Sequence, residues 1–434
     1  MQRMKHRLTA AGDLLILREL PQGGSYEGFE PVRSFLEQGD FRFANLEATI
    51  HRYECPPSEE SGGSWICAAP EVLNAVQAFG FNVLSLANNH TLDFSQEGVI
   101  KTKDYVQQAG FKAAGTGRTL AEASEPVYFE GHDGRYALIA ASSSFKPDAM
   151  AGAQSSSMMG RPGLNGIRHT ERFRIRKEQM EMLKDIAQET AINGYKDIIR
   201  KEGYLPAIPE NEFDFGGIRF EESETVSRVS EVNEQDMKRV EQAIFDARLQ
   251  ADVIAVSIHA HEISGTRKED PDQFLQEFAH RCIEAGAHVV IGHGPHLLRP
   301  IELYKGRPIF YSLGDFILQN ENIRRGPAQW FKSQGLSPDA TMHELFATRS
   351  AQFTRGLQTD PVMFEAVIPY WELEDGQLTK LDLMPVELGF GRPRSIGGWP
   401  MFAPDRGIIE RLAEMSGKFG TQIDIENGIG RVLI

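Results

Sequence analysis

Cysteine is nearly missing from this 434-residue chain, which has only Cys55, Cys67 and Cys282. Three cysteines without CxxC spacing exclude a disulfide-stapled scaffold and a thiolate zinc finger, and they favour a reducing, cytoplasmic setting. Only Cys55 and Cys67 are close enough in sequence to suggest a bridge. Long hydrophobic runs are missing too. The opening stretch MQRMKHRLTAAGDLLIL is basic but has no sustained apolar core. It is therefore expected to be neither a signal peptide nor a membrane anchor, and no direct membrane insertion is expected. Positive charge is in deficit, with 46 Lys and Arg against 61 Asp and Glu and a net charge of −15. Such a chain repels a polyanion on average, so no nucleic-acid partner is expected and an anionic substrate needs a local basic pocket.

What is present suits a folded α/β protein: 41% of residues are hydrophobic and 25% charged, without internal repeats or low-complexity tracts. Arg7 to Leu14 and Phe41 to Leu46 read as strands. Pro70 opens a helix that Gly80 closes, and Phe81 to Ala87 is a buried strand followed by a helix from Val99 to Gln108. The rhythm resumes with a helix from Glu234 to Gln250, a strand Val253 to Ile258, a helix Gln273 to Ala285 and a strand Ala287 to Ile291. Hairpins are expected at His132-Asp133-Gly134, Lys305-Gly306 and Asp375-Gly376. The expected organisation is one layered α/β domain over 1–434. It carries an insertion at about 145–233, including a helical stretch from Arg174 to Arg200, that serves as a lid, a substrate subdomain or passive decoration. A second, irregular insertion covers about 319–360, and a C-terminal extension covers about 389–434 with a helix near Gly407 to Met415.

The polar residues with chemical capacity fall just beyond apolar strands: Asp13, Glu47, Asn89-His90, His259, and the pair His293 and His296. Loops at the carboxyl ends of strands are where ligands collect in open α/β sheets. Taken singly, each residue is as readily a turn former, a helix cap or a surface group. Their joint pattern points to a site for one or two divalent ions, Mn, Fe, Zn or Mg, held by carboxylate, amide and imidazole donors. Such ions activate water as a nucleophile and neutralise developing charge. His90, next to Asn89, is placed to act as acid or base, and Asp93 to orient its ring.

The segments ANLEATI (44–50), LANNHTLD (86–93), SSSFKPDAMAG (142–152), SIHAHE (257–262) and VVIGHGPHLLRPIELYKGRPIFYSLGDFI (289–317), with Gly12-Asp13, resemble the CapA/PgsA family of poly-γ-glutamate capsule synthesis proteins. That family is similar to the calcineurin-like metallophosphoesterases. The resemblance implies a four-layer α/β/β/α sandwich with a two-metal site. It makes Asp13, Glu47, Asn89, His259, His293 and His296 the ligands and His90 the catalytic histidine. Three departures stand out. Leu15 replaces the histidine of the phosphoesterase Asp-x-His motif, which weakens or removes one metal position. The usual His-Trp-Gly-x-Glu reads His259-Ala260-His261-Glu262-Ile263, leaving His261 open as a substitute ligand or as a group behind the ligands. Asp315 stands where the family usually has Asn, a change given little weight.

The resemblance implies a metal-dependent hydrolase or transferase linked to poly-γ-glutamate or another capsule or cell-wall polymer. Its expected partner is a carboxylate-rich polymer or small molecule, with membrane-associated capsule machinery as a further partner. Candidate substrate-facing residues are Arg161, Arg299 and His261, and Arg168, His169, Arg172, Arg324, Arg325, Arg392 and Arg394 are further cations that could meet carboxylates. Two alternatives stand beside this reading: a phosphoesterase acting on a small phosphorylated metabolite, and a non-catalytic polymer-binding or capsule-assembly protein.

Overall fold

The structure, a computed structural model, describes residues 4–21, 24–404 and 407–434. The first three residues of the basic N-terminal stretch lie outside them. A ten-stranded sheet is built on the strand Lys5–Leu15, flanked on one side by Phe41–Asn45, Val83–Ser85 and Lys112–Ala114, all parallel to it or to each other. On its other side run Glu365–Glu374 and Gln377–Glu387, antiparallel, while Asp315–Leu318 pairs in parallel with the end of Lys5–Leu15. A six-stranded sheet has Arg135–Ser142, Val253–His259, Val289–His293 and Arg307–Leu313 as its parallel centre.

Side chains alternate across these strands and so serve two cores at once. Leu8, Ala10, Phe41 and Phe43 of the larger sheet pack against Leu138, Ala140, Val253, Val289 and Ile291 of the smaller one. The intervening Ala11, Leu14, Ala44 and Leu84 pack with Val32, Leu36, Val76 and Val106 from helices. On the smaller sheet Ile139, Ile254, Val256 and Val290 meet Met237, Val240 and Ile244 of the helix Glu234–Arg248 and Phe274 and Phe278 of the helix Gln273–Ala285. This is the mixed α/β architecture that the apolar strand runs announce. Among the described residues no helix is long and apolar enough to cross a membrane. All three cysteines are buried free thiols, so Cys55 and Cys67 are not bridged.

The expected turns form where both central residues can take positive φ. Lys305-Gly306 and Asp375-Gly376 do so, joining Tyr304 to Arg307 and Glu374 to Gln377. The segments expected to be irregular carry more structure than their sequence suggests. Residues 169–232 hold a four-stranded sheet with helices Lys177–Thr190 and Gly194–Lys201. The helical stretch expected over Arg174 to Arg200 is therefore a strand end followed by two helices. The break falls at Ala191, which takes a left-handed φ of 51°, and Asn193, whose amide bonds to Asp214 and Gly216 in the facing hairpin. Residues 319–360 contain helices Ala328–Ser333 and Met342–Arg349. The C-terminal stretch forms the expected helix, Ile408–Gly417, and then a hairpin, Ile423–Glu426 with Ile429–Val432, that extends the larger sheet.

Candidate metal centre

The strand register brings the donors together. Asp13 pairs with Asn45 on one neighbouring strand and Asp315 on the other, while His259 and His293 are register partners in the smaller sheet. Close approach at Asp13 requires Gly12, where a Cβ would fall 1.8 Å from the Gly314 carbonyl oxygen. The two sheets are tied at this point, since the Gly294 N–H donates to Asp13 Oδ2 at 2.8 Å.

One group of donors comprises Asp13, His259 and His293, all fully buried. Asp13 Oδ1 lies 3.3 Å from His293 Nδ1 and 3.6 Å from His259 Nδ1, and it accepts from Asn45 Nδ2 at 2.7 Å. His293 Nε2 lies 2.7 Å from Ser257 Oγ, which fixes the ring. Burial pushes the Asp13 carboxyl up, but His259 and His293 together outweigh it and hold it well below the usual carboxylate range. Burial pulls His259 down to about 4 against the opposing pull of Asp13, so its imidazole is neutral at pH 7.

A second group comprises Glu47, His261 and His296, and Asp315 joins Asp13, Glu47 and His296 in an overlapping set. Here the protein leaves acceptors unmatched. Both oxygens of Glu47, Asp315 Oδ2 and Asn89 Oδ1 are buried without a hydrogen-bond partner. Each such buried acceptor costs on the order of 1–3 kcal/mol unless something binds it. Burial drives the Glu47 carboxyl well above its ordinary range, and the neighbouring Asp13, Asp315 and Asp93 push it further. His296 Nδ1 lies 2.9 Å from Asp315 Oδ1. Burial lifts Asp315 to about 6 despite His296, and the Asp315 charge raises His296 despite its burial. His296 holds a left-handed φ of 60°, a conformation that costs energy and that collects at functional sites. Oxygen acceptors of this kind beside the imidazoles of His261 and His296 suit a divalent cation better than they suit one another, so the residues present fit a metal.

His90 stands at the edge of this group. Its Nδ1 lies 2.7 Å from Asp93 Oδ2, and its Nε2 faces Glu47 Oε1 at 3.8 Å. Asp93 also accepts from the Gly62 and Ile66 N–H groups at 2.9 and 2.8 Å, which anchors it to the loop before the Pro70 helix. Asn89 donates to the Gly62 carbonyl at 2.8 Å, and its Oδ1 is buried without a partner. Asn88 is a brace: its amide donates to the Leu46 carbonyl at 2.9 Å and accepts from the His90 N–H at 3.1 Å.

The structure thus gathers Asp13, Glu47, His90, Asp93, His259, His261, His293 and His296, with Asn89 alongside. Of the two candidate arginines, Arg299 is enclosed by backbone and does not face substrate. Arg299 is buried beneath the site, where its guanidinium donates to the carbonyls of Lys268, Ala260, His261 and Glu262 at 2.9–3.2 Å. It braces the histidine loop from behind. Replacing Arg299 with Met is expected to lower unfolding stability by about 3 kcal/mol, because buried carbonyls lose their donors. Urea unfolding measures this, and a loss under about 0.5 kcal/mol, typical of a surface change, would contradict the brace. Arg161 is exposed and donates to the Met150 carbonyl at 2.9 Å. Arg168 grips Asp236 through two nitrogens.

Two residues in the cluster were underread from sequence. Asn45 sits two positions before Glu47, a spacing that puts both on one side of an extended chain, and this was the available signal. Asp315 follows an apolar strand as Asp13 does, but its place in the site depends on pairing with a strand far away in the chain.

The fold is a mixed α/β arrangement of several sheets, consistent with a metallophosphoesterase-like sandwich, and it carries candidate metal-ligand groups of His, Asp and Glu. The family described as bacterial capsule synthesis protein PGA_cap matches residues 7–320, and the chain belongs to that family. It is similar to y4sH of Sinorhizobium fredii, described as uncharacterized, at 31% identity over 98% of this chain and 92% of that protein. A probable polyglutamine synthesis accessory protein of Mycobacterium tuberculosis is 27% identical over 68% of this chain and 59% of its own length. The capsule biosynthesis protein CapA of Bacillus anthracis is 22% identical over 72% of this chain and 61% of its own.

Proposed function

We propose that this protein is a metal-dependent hydrolase or transferase acting on a carboxylate-rich amide polymer, or a small conjugate of one, in capsule or cell-wall metabolism. The observation that carries the reading is the set of unpartnered buried oxygens on Glu47, Asp315 and Asn89 beside the His90–Asp93 pair. Glu47, His296, Asp315 and Asn89 would hold one divalent ion, with Asp13, His259 and His293 available for a second. Bound there, a divalent ion supplies Lewis acidity at the attacked group and a nucleophile at neutral pH. Asp93 keeps the His90 ring oriented, so that Nε2 is free to hold or deliver a proton at the leaving atom. The names of relatives linked to capsule biosynthesis support a role in capsule metabolism.

Arginine-lined cavities support an anionic substrate. One of about 310 Å³ begins at Leu318, beyond Asp315 on the same strand, and is lined by Arg392 and Arg394. A neighbouring one of about 200 Å³ shares Asn320, Glu321 and Gln358 with it and adds Arg349 and Arg355. Arg394 pairs with Glu321 at 2.9 Å. Four cations against that one acid make a locally basic surface on an acidic chain.

A panel of γ-glutamyl peptides and phosphoesters, each with and without Mn²⁺, tests the function. Metal-dependent release of glutamate or amine from the peptides is the expected result. Rapid phosphate release with intact peptides would replace this reading with the phosphoesterase, and inertness toward both, in protein shown to hold metal, would leave the assembly role.

Metal uptake is also expected to expel protons. In the metal-free site Glu47 keeps its proton above the usual carboxylate range, and a cation needs the carboxylate. His259 and His261, depressed chiefly by burial, are already neutral and give up nothing. His296, raised by the Asp315 charge, must also give up its proton to bind a cation. Below the metal-free pKa of both groups binding should therefore release about two protons, and affinity should rise with pH by up to about tenfold per unit for each. Calorimetry in two buffers of different ionisation enthalpy reads the proton count, and a count of zero across pH 6–8 would contradict it.

A further inference from the structure

The donors near the site differ in how far the protein itself satisfies them. Asp13 accepts from Asn45 and from the Gly294 N–H, and His293 is held by Ser257. Around Glu47 the reverse holds, with both its own oxygens and Asp315 Oδ2 left open. The motif that would supply a nitrogen to a metal from the first strand is missing, since Leu15 is buried in the apolar core. A nitrogen arrives from the opposite sheet instead. His259 ends its strand and His261 follows at a spacing of two, which returns both rings to one side of the chain.

The ring of His261 points where a ligand would. Its Nε2 lies 3.0 Å from His259 Nε2, and its ring meets that of His296 edge to face at 5.5 Å. Ligand atoms of Glu47, His261 and His296 lie within 4.8 Å of one another. Donors bonded at about 2.0–2.2 Å to one ion stand at separations of this order. Burial, reinforced by His259 and His296, keeps the His261 imidazole neutral and its lone pair available. The backbone is fixed on both sides: the His261 N–H donates to Ser144 Oγ at 2.7 Å, and its carbonyl accepts from Arg299. Ser144 and Ser143 in turn hold the Glu262 carboxylate at 2.8–3.0 Å, so this loop is built and not loose.

We propose that His261 is a metal ligand that completes a centre with Glu47 and His296, supplying from the smaller sheet the nitrogen that Leu15 cannot supply from the larger one. This assignment rests on the metal-dependent reading above and goes beyond it by fixing which side chains hold the ion. It also separates His261 from the substrate-facing cations, since its nitrogen is turned toward the other ligands.

The test compares wild type with His261→Asn, each stripped of metal, by competition with a chelating dye for Zn²⁺ and by the visible absorption of the Co²⁺ form. The variant is expected to bind at least about tenfold more weakly and to lose intensity in the Co²⁺ bands, while its metal-free melting temperature stays at the wild-type value. Equal affinity and an unchanged Co²⁺ spectrum in His261→Asn, with wild type binding metal, would overturn the assignment alone. Failure of wild type to bind either ion would instead bring down the metal-dependent reading on which it rests. Should His261→Asn not fold, His261→Gln carries the same comparison and the same two outcomes.

Discussion

Glu47→Gln is expected to release the divalent ion, weakening its binding by about 100-fold or more, because losing even a residue that only supports a ligand costs 10–100-fold. The substitution keeps the shape of the side chain and removes only its ability to carry negative charge. Glu47 is fully buried, both its oxygens lack partners, and three other carboxylates press on it. No element of the fold gains from that arrangement, so the carboxylate is a cost that a cation offsets. The metal-free variant is accordingly expected to melt at or above the temperature of metal-free wild type. Elemental analysis after gel filtration, paired with thermal unfolding in chelator, reads both effects. A variant that keeps its metal, or one that is less stable than wild type only when both are metal-free, would mean that Glu47 serves packing.

His90→Ala is expected to separate chemistry from metal holding. The ring is nearly buried and pinned by Asp93 at 2.7 Å, and its other nitrogen faces Glu47 at 3.8 Å. Loss of a positioned acid or base of this kind lowers turnover by about 10²–10⁴-fold. Metal content should stay at the wild-type value, since His90 belongs to none of the candidate ligand groups. Asp93→Asn should move the same way by a smaller factor, because it disturbs the ring through its tautomer and leaves it in place. Turnover of the best substrate from the γ-glutamyl and phosphoester panel, measured beside metal content, checks this. Full activity in His90→Ala would remove the proton-transfer role.

Much of the site could be read before any coordinates because buried parallel strands are almost wholly apolar, so a polar residue at the end of one stands out. Asp13, Glu47, His259 and His293 were visible for that reason. Arg299 was misjudged for the converse reason: its charge is legible, but the four carbonyls that surround it come from a loop whose path depends on the tertiary fold. Asp315 needed the pairing of its strand with Lys5–Leu15, which no local pattern encodes. The strand His169–Ile175 is half exposed and rich in charge, so it lacks the apolar run that marked the central strands and merged with the helix after it. The C-terminal hairpin is a different case, since Asn427-Gly428, with φ of 53° and 76°, is a turn signal legible in the sequence itself.

These side chains converge as a cage for a divalent cation. Elemental analysis of the wild-type protein as purified, repeated after dialysis against micromolar Mn²⁺, Fe²⁺ and Zn²⁺, addresses that directly. The account predicts about one or two equivalents of divalent metal per chain that resist gel filtration. Protein that emerges metal-free from both treatments would contradict it.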